Sequence, residues 1–263
     1  MKPSDSQPAQ TLSQPRRIVI VGATSAIAEH CARLWIQDGA VDLMLIGRND
    51  ERLRRVADDL AVRSPASRIE CLRADFSDDA AIERAVATAC ARGKPDVVLI
   101  AHGVLPDQAA CQADLHACHN ALAINGISPA LFAEAFVSHM HSAGPASLVL
   151  IGSVAGDRGR QSNYVYGSAK GLLDRYAQGL RHRLALGRSS LKVILVKPGP
   201  TATPMTAHLV AQGQSLAPVE AVAQAISTGV AQGRAVIYAP GKWRIIMLVI
   251  RCLPSMIFHR LKI

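Results

Sequence analysis

Aromatic residues are scarce in this sequence: they make up 4% of its 263 residues, although 49% are hydrophobic. The core must therefore be built from Ala, Val, Leu and Ile, which is typical of buried parallel sheets. Few rings are available to stack on bases and no nucleic-acid-binding motif is present, so we expect no nucleic-acid partner. The length suits a single α/β domain.

Cysteine pairs and a leader pattern are also missing. The six cysteines are scattered, with no Cys-x-x-Cys pair. This predicts reduced thiols in the cytoplasm and no disulfide framework, zinc site or other metal site. Residues 1–15 contain no apolar stretch like that of a signal peptide, and their Pro, Ser and Gln content predicts a disordered tail.

Acidic residues are nearly absent from the last third of the chain, where Glu220 is the only acid after Asp174. Twelve basic residues occupy the same segment, and the net charge of the whole chain is +9. This asymmetry predicts an anionic partner, either a phosphate-bearing ligand or a membrane surface, because the missing motif disfavours nucleic acid.

Seven short apolar runs alternate with helical patterns between residues 16 and 240. Strands that alternate with helices in this way predict one doubly wound, seven-stranded parallel sheet with helices on both faces. The predicted strands are residues 17–21, 41–46, 68–72, 96–101, 147–151, 190–196 and 235–239.

The first strand leads through a glycine turn into a helix. Residues 22–28 read Gly-Ala-Thr-Ser-Ala-Ile-Ala, and a helical pattern follows over 29–37. A helix N-terminus offers free N–H groups and a positive dipole end to a pyrophosphate, so Gly22, Thr24, Ser25 and Ile27 are candidate dinucleotide-binding residues. An ordinary tight turn between strand and helix is the alternative.

Arg48 stands where the second strand ends, in the sequence Gly-Arg-Asn. In dinucleotide-binding sheets an acid at this point binds the ribose 2′-OH, whereas an arginine accommodates a 2′-phosphate. The sequence therefore predicts NADP(H) rather than NAD(H). The alternative is that Arg48 belongs to the solvated face of the next helix.

The ends of the third and fourth strands supply further candidates. Asp75 and Phe76 follow the third strand, where the acid either accepts a hydrogen bond from an adenine amino group or is a turn residue. Ser77 is the expected N-cap of the next helix. Ala101 and Gly103 follow the fourth strand, where glycine lets a cofactor lie against the backbone. The histidine between them is expected to be structural or to contact a ribose.

The most informative stretch runs from Ser153 to Lys170. Tyr166 and Lys170 are four residues apart, which on a helix places their Cβ atoms about 5–6 Å apart on one face. A nearby ammonium favours the phenolate, so Lys170 is expected to lower the pKa of Tyr166 from about 10. Ser153 follows the fifth strand, at the sheet edge where ligands bind. By itself, a Tyr-x-x-x-Lys pair also arises by chance.

Asn125 lies inside a long helical region, about 107–141, next to Gly126. Helix propensity disfavours an asparagine there, so it either faces solvent or has a function. Pro129 predicts a kink that exposes backbone groups near it. After the sixth strand, a Pro-Gly turn precedes two threonines that could bond a carboxamide. These candidates are Pro198, Gly199, Thr201 and Thr203.

Together these motifs resemble the short-chain dehydrogenase/reductase family over residues 16–240. Gly22-x-x-x-Ala-Ile-Ala28 resembles its glycine motif, with alanines at two usual glycine positions, and Ala101-His-Gly103 resembles a degraded Asn-Asn-Ala-Gly motif. Pro198-Gly199 matches the motif after strand six, and Tyr164 has no lysine four residues on. The residues that match the family's catalytic tetrad are Asn125, Ser153, Tyr166 and Lys170.

The resemblance implies a Rossmann-type fold and hydride transfer between NADP(H) and a carbonyl or alcohol. Tyr166 would protonate the developing alkoxide. Lys170 would lower the pKa of Tyr166 and hold the nicotinamide ribose. Ser153 would hydrogen-bond the carbonyl oxygen, and Asn125 would anchor a water linked to Lys170. The resemblance also implies a homodimer or homotetramer.

Within the family, YVYGSAKGLLD, PGPTATPMTAHL and the tail after Ala239 are similar to decaprenylphosphoryl-2-keto-pentose reductases. These are the reductase half of the decaprenylphosphoryl-ribose 2′-epimerase system. The likeness implies a keto-sugar linked to a polyprenyl phosphate as substrate and a flavin-dependent oxidase as partner.

The tail, residues 241–263, is apolar and basic with no acid. Its longest apolar run, Ile245 to Ile250, is far short of the roughly 20 residues that span a bilayer. An amphipathic, cationic, Trp-bearing segment fits a helix lying in a membrane interface, which predicts a cytoplasmic protein peripheral to the inner face of the membrane. The alternative is a C-terminal element that packs on the domain or on a partner subunit.

Two rival functions are consistent with the same sequence. One is a soluble reductase of a 3-oxoacyl thioester or a small ketone. The other is a non-catalytic protein that senses NADP(H), although such a module has no need of all four tetrad residues.

Overall fold

The computed structural model describes residues 15–141, 144–207, 209 and 213–261. The predicted disordered tail lies outside the described residues except for Pro15, as do the last two residues of the C-terminal extension.

Seven parallel strands form one sheet in the order β3-β2-β1-β4-β5-β6-β7. This confirms the predicted doubly wound Rossmann-type sheet. The strands are β1 Arg16–Val21, β2 Val41–Gly47, β3 Arg68–Arg73, β4 Val97–Ile100, β5 Ala146–Ile151, β6 Leu191–Pro198 and β7 Val236–Ala239.

Helices follow the strands along the chain and cover both faces of the sheet. In chain order they are α1 Ala26–Gln37, α2 Asp50–Arg63, α3 Asp79–Cys90, α4 Gln108–Ala113, α5 Leu115–Leu122, α6 Ser128–Met140, α7 Tyr164–Leu186, α8 Val219–Ala231, α9 Trp243–Cys252 and α10 Ser255–Phe258.

The core has two layers because successive side chains of a strand point to opposite faces. Ile18 and Ile20 of β1 pack with α1, α2 and α8, whereas Val19 and Val21 pack with α3, α6 and α7. Both faces are covered, which explains why the strands read as continuous apolar runs. The carboxyl ends of all seven strands therefore lie at one edge.

The predicted long helix over 107–141 is broken. Asp114 ends α4 and caps α5 by accepting the His116 N–H at 2.8 Å. A π-helical turn, Ala123–Ile127, then joins α5 to α6, just before Pro129. The stretch Leu115–Met140 has the length and hydropathy of a membrane span, but half of its most apolar window is buried in the fold, as in core helices of soluble proteins.

The prediction that Ser77 caps α3 is wrong. Asp78 is the N-cap and accepts the Ala80 N–H at 3.1 Å. The helix begins at Asp79, so Asp78 and not Ser77 stands at the capping position, and Ser77 donates its hydroxyl to Asp75 at 2.6 Å.

Candidate active site

Ser153 is placed at the carboxyl end of β5 by a short turn. It caps the 3₁₀ turn Val154–Gly156, and its Oγ accepts the Ala155 N–H at 3.1 Å. Its backbone is extended, with φ −168° and ψ 154°. The hydroxyl therefore stands where the strand stops and the turn begins, at the edge where ligands bind in α/β sheets.

Backbone contact brings α7 onto this turn. A Cβ atom placed on Gly156 would lie 2.7 Å from the carbonyl carbon of Lys170, and one on Gly167 would lie 2.8 Å from the Ala155 carbonyl oxygen. Both distances are shorter than real Cβ atoms show. Only glycine permits this approach, which carries Tyr166 and Lys170 to Ser153.

Lys170 is held in the protein interior. Its side chain is 4% exposed, and Nζ donates to the Ile151 carbonyl oxygen at 3.0 Å. Burial lowers the pKa of Lys170 to about 8, because an ammonium loses solvation there. Nζ lies 5.7 Å from the centre of the Tyr166 ring, so the two residues share one helix face as predicted.

The expected lowering of the Tyr166 pKa by Lys170 is not observed. Burial raises the pKa of Tyr166 above its usual value, and a hydrogen bond with Ser153 opposes that rise. The physical reason is that the phenol is desolvated and that the Lys170 ammonium is directed at Ile151. In this protein, Ser153 is the residue that favours the phenolate.

Asn125 is fully buried, so it does not face solvent. Its Oδ1 accepts the Val104 N–H at 2.9 Å, and its Nδ2 donates to the Ala121 carbonyl oxygen at 2.8 Å, inside the π-helical turn. A Cβ atom on Gly103 would lie 2.8 Å from Oδ1 and 3.6 Å from the Lys170 Nζ. Asn125, Gly103 and Lys170 therefore meet at one point beside the end of β4.

The glycine turn after β1 adopts a conformation that requires glycine. Gly22 has φ +77°, and a Cβ atom there would lie 2.5 Å from the His102 backbone nitrogen. The side chains of Thr24, Ser25 and Ile27 are partly exposed, and Ser25 makes no side-chain cap bond to α1. The first turn of α1 therefore has N–H groups available to an anion.

Arg48 is exposed at the end of β2, and it makes no side-chain hydrogen bond or ion pair with the described residues. Asp75 bonds Ser77, and these bonds, with a smaller contribution from Arg48, lower the pKa of its carboxyl group. Asp75 thus acts as a turn residue. Phe76 is 2% exposed and packs 4.6 Å from the His102 ring, so only its backbone can reach a cofactor.

His102 is the histidine between Ala101 and Gly103, and it is buried. Its Nε2 lies 3.0 Å from the Ser128 hydroxyl, while Nδ1 has no partner among the described residues. Burial, with smaller effects of Lys170 and Arg48, lowers its pKa to about 3. His102 is neutral at physiological pH and is unsuited to act as a general base.

The turn after β6 is held by its own side chains. Thr201 is 5% exposed, and its hydroxyl donates to the Gly199 carbonyl oxygen at 2.9 Å. The Thr203 hydroxyl lies 3.2 Å from that of Thr206. The Trp243 indole occupies the space where a Gly199 side chain would stand. The C-terminal extension therefore reaches the Pro198-Gly199 motif.

Sequence reasoning missed a buried ion cluster beside the site. Lys197 Nζ lies 2.5 Å from Asp157 and 2.9 Å from Asp174, and the Tyr238 hydroxyl donates to Asp157 at 2.9 Å. One ammonium thus connects β6, the loop after Ser153, helix α7 and β7. The acids lie 40 and 23 residues from Lys197, so no local motif marks the cluster.

A second missed contact fixes the C-terminal extension. Arg158 donates to the carbonyl oxygens of Ile250 and Leu253, both at 2.6 Å, at the C-terminal end of α9. Its guanidinium also stacks 3.8 Å above the Phe258 ring. Helix C-termini attract cations because their last carbonyl groups are unpaired. The extension is therefore docked on the loop that follows Ser153.

The order of these motifs around a parallel sheet matches a known family. The sequence profile described as short chain dehydrogenase matches residues 16–214. The chain belongs to the short-chain dehydrogenase family. This confirms the predicted family and enzyme class.

Two curated relatives of this short-chain dehydrogenase are described as uncharacterized oxidoreductases. The one from Mycobacterium tuberculosis is 32% identical over 93% of this chain and 96% of its own length. The one from Streptomyces coelicolor is 30% identical over 97% of this chain and 99% of its own length.

Solved structures agree on the fold of this short-chain dehydrogenase. A short-chain dehydrogenase from Sphingobium yanoikuyae in complex with NADPH has a TM-score of 0.77 at 22% identity, covering 91% of this chain and 97% of its own. Levodione reductase has a TM-score of 0.76 at 19% identity, covering 87% and 98%.

Replacing Lys197 by Met should lower the free energy of unfolding by about 3–5 kcal/mol, because two carboxylates would remain in the interior without their cation. Urea denaturation followed by circular dichroism measures this loss. Lys192→Met, at an exposed position of the same strand, is the matched control and should change stability little. Equal stability of the two variants would contradict the structural role of the cluster.

Proposed function

We propose that this short-chain dehydrogenase is an NADPH-dependent reductase of a carbonyl group, with Tyr166 as its general acid. The observation that carries the proposal is that Ser153, Tyr166, Lys170 and Asn125 surround one point at the carboxyl edge of the sheet. A protein that only senses the dinucleotide would not need a hydroxyl, a phenol and an ammonium arranged together.

The residues present fit a nicotinamide dinucleotide. Gly22, with φ +77°, lets the turn after β1 pack against the His102 backbone, and the first turn of the following helix has N–H groups available to a pyrophosphate. The guanidinium of the exposed Arg48 can donate two hydrogen bonds to a 2′-phosphate. When bound, the cofactor supplies the hydride that reduces the carbonyl carbon.

The chain's own residues would handle the substrate oxygen and its proton. Ser153 donates a hydrogen bond to the carbonyl oxygen and so stabilises the charge that develops there. Tyr166 transfers its phenolic proton to the same oxygen, which becomes the hydroxyl of the product. Lys170, whose pKa of about 8 lets it lose and regain a proton near neutrality, replaces the proton.

Tyr166→Phe should lower the turnover number about 10²–10⁴-fold, the range for loss of a general acid, while NADPH still binds. Tyr164→Phe is the matched control. It also removes a tyrosine hydroxyl from α7, but at a position two residues away that is 43% exposed. NADPH oxidation and the quenching of protein fluorescence by NADPH measure the two effects. Equal turnover in both variants would refute the mechanism.

Arg48→Asp should weaken NADPH binding on the order of tenfold to a hundredfold, because it removes charge-assisted hydrogen bonds. NADH binding should change little, since NADH has no 2′-phosphate. The control is Arg54→Asp, which makes the same charge change at an exposed site of α2. Dissociation constants for both nucleotides decide the question, and equal losses for both would remove Arg48 from the 2′-phosphate site.

For the substrate, we propose a keto-sugar linked to a polyprenyl phosphate, made available by a flavin-dependent oxidase at the cytoplasmic face of the membrane. The support is the position of the extension: Trp243 lies against Gly199, and Arg158 ties α9 to the loop after Ser153. An apolar, basic segment therefore borders the candidate site. A homodimer or homotetramer is the proposed assembly.

Steady-state assays against a panel of ketones test the substrate. A polyprenyl-phosphate keto-sugar should have the highest kcat/KM, and deleting residues 242–263 should reduce kcat/KM for it more than for a small ketone. Similar values for a 3-oxoacyl thioester or a small soluble ketone, unaffected by the deletion, would instead establish the soluble reductase.

A further inference from the structure

A large groove lies along β7, the edge strand of the sheet, and along α7 from Gly171, the residue after Lys170, to Arg181. It has a volume of about 1490 Å³ and is bordered by α7, α8, β7 and α9. Five arginines line it, and we call it the arginine groove. They are Arg175, Arg181, Arg234, Arg244 and Arg251.

The charge of the arginine groove is not balanced by the protein. None of the five arginines forms an ion pair with a carboxylate of the described residues. The two acids in the lining, Asp157 and Asp174, are both bonded to Lys197. With six basic and two acidic side chains, the lining has a formal charge of +4. A concave surface of one sign concentrates ions of the opposite sign.

Helix α9 borders the groove and is apolar on its outward face as well as on its inward face. Met247 is the residue that faces the domain, 1% exposed. Positions two residues away lie about 200° around a helix, so Ile245 and Val249 point outward, where they are 69% and 57% exposed. Arg244 and Arg251 lie between these two faces and line the groove. Solvent-facing positions of soluble helices are normally polar.

A second copy of the chain would bring like charges together at this surface. Pairing of two β7 edges about a twofold axis would place the same unbalanced arginines opposite each other. A soluble polyanion would use the charge but would leave the apolar row of α9 uncovered. A bilayer with anionic lipids satisfies both, because phosphates lie directly above acyl chains.

We propose that the arginine groove binds the phosphate groups of anionic phospholipids while Ile245 and Val249 of α9 enter the acyl region. This deepens the proposed function, since it names the surface that would hold the enzyme at a membrane containing its substrate. Because Trp243 and Arg158 connect α9 to the candidate site, docking here would place that site next to the lipid surface.

The test is flotation of the full-length protein with vesicles of phosphatidylcholine alone and of equimolar phosphatidylcholine and phosphatidylglycerol. Wild type should bind the anionic vesicles. The triple variant Arg234→Gln, Arg244→Gln, Arg251→Gln should bind them about a hundredfold more weakly, since each basic residue near an anionic surface contributes about fivefold. The double variant Ile245→Ser, Val249→Ser should also bind weakly, because it loses the apolar side chains that would enter the acyl region of the bilayer.

A matched control separates the groove from net charge. Arg54→Gln, Arg55→Gln, Arg84→Gln makes the same charge change near β3, at the opposite edge of the sheet, and should bind like wild type. Equal weakening of both triple variants, or no weakening of the groove variant, would overturn the proposal. Two further results would overturn it if the wild type does not bind vesicles. One is a dimer that dissociates when the three groove substitutions are made. The other is an unfolding temperature of the wild type that rises on addition of inorganic phosphate alone.

Flotation uses neither NADPH nor substrate, so its failure leaves the proposed reductase untouched. Conversely, absence of turnover on every ketone would refute the reductase without affecting the lipid-binding result. Unchanged turnover of the groove variant on a soluble ketone shows that the variant is folded, because none of its three substitutions lies in the candidate active site.

Discussion

One buried ammonium organises the region around the candidate site. Lys197 is shielded from solvent: it is 4% exposed, and its ammonium group is paired with Asp157 and Asp174. Burial alone would lower the pKa of Lys197, but the two carboxylates raise it above its usual value, so the charge is retained. This cation therefore ties the loop that follows Ser153 and the helix that carries Tyr166 to β6, and removing it would leave two carboxylates buried without a partner.

Helix α7 therefore contributes to two neighbouring regions along its length. Tyr166 and Lys170 face the end of β5, while Asp174, Arg175 and Arg181 face the arginine groove. Arg181 also donates to the Ala235 carbonyl oxygen at 2.8 Å, which fixes the helix to the start of β7. A single rigid helix thus carries the candidate catalytic residues in its first turns and lines the basic surface in the turns that follow.

Much of the fold could be predicted because its signals are local. Apolar runs gave the strands within a residue or two, and the motifs that follow β1, β5 and β6 lie where the pattern places them. The failures involve competition between groups. Asp78, which directly precedes the first helical residue, caps α3 in place of Ser77, and burial outweighs the Ser153 hydrogen bond in setting the pKa of Tyr166. Neither competition is visible in residue spacing.

The contacts that sequence reasoning could not reach are those between distant segments. Arg158 lies 92 residues before Ile250, and their bond decides how the C-terminal extension is oriented. Composition predicted an amphipathic tail, and it left packing on the domain and contact with a membrane as alternatives. The geometry of α9 makes the two alternatives compatible, because Met247 and Trp243 face the protein while Ile245 and Val249 face outward. A helix anchored in this way can present an apolar row without unfolding any part of the enzyme.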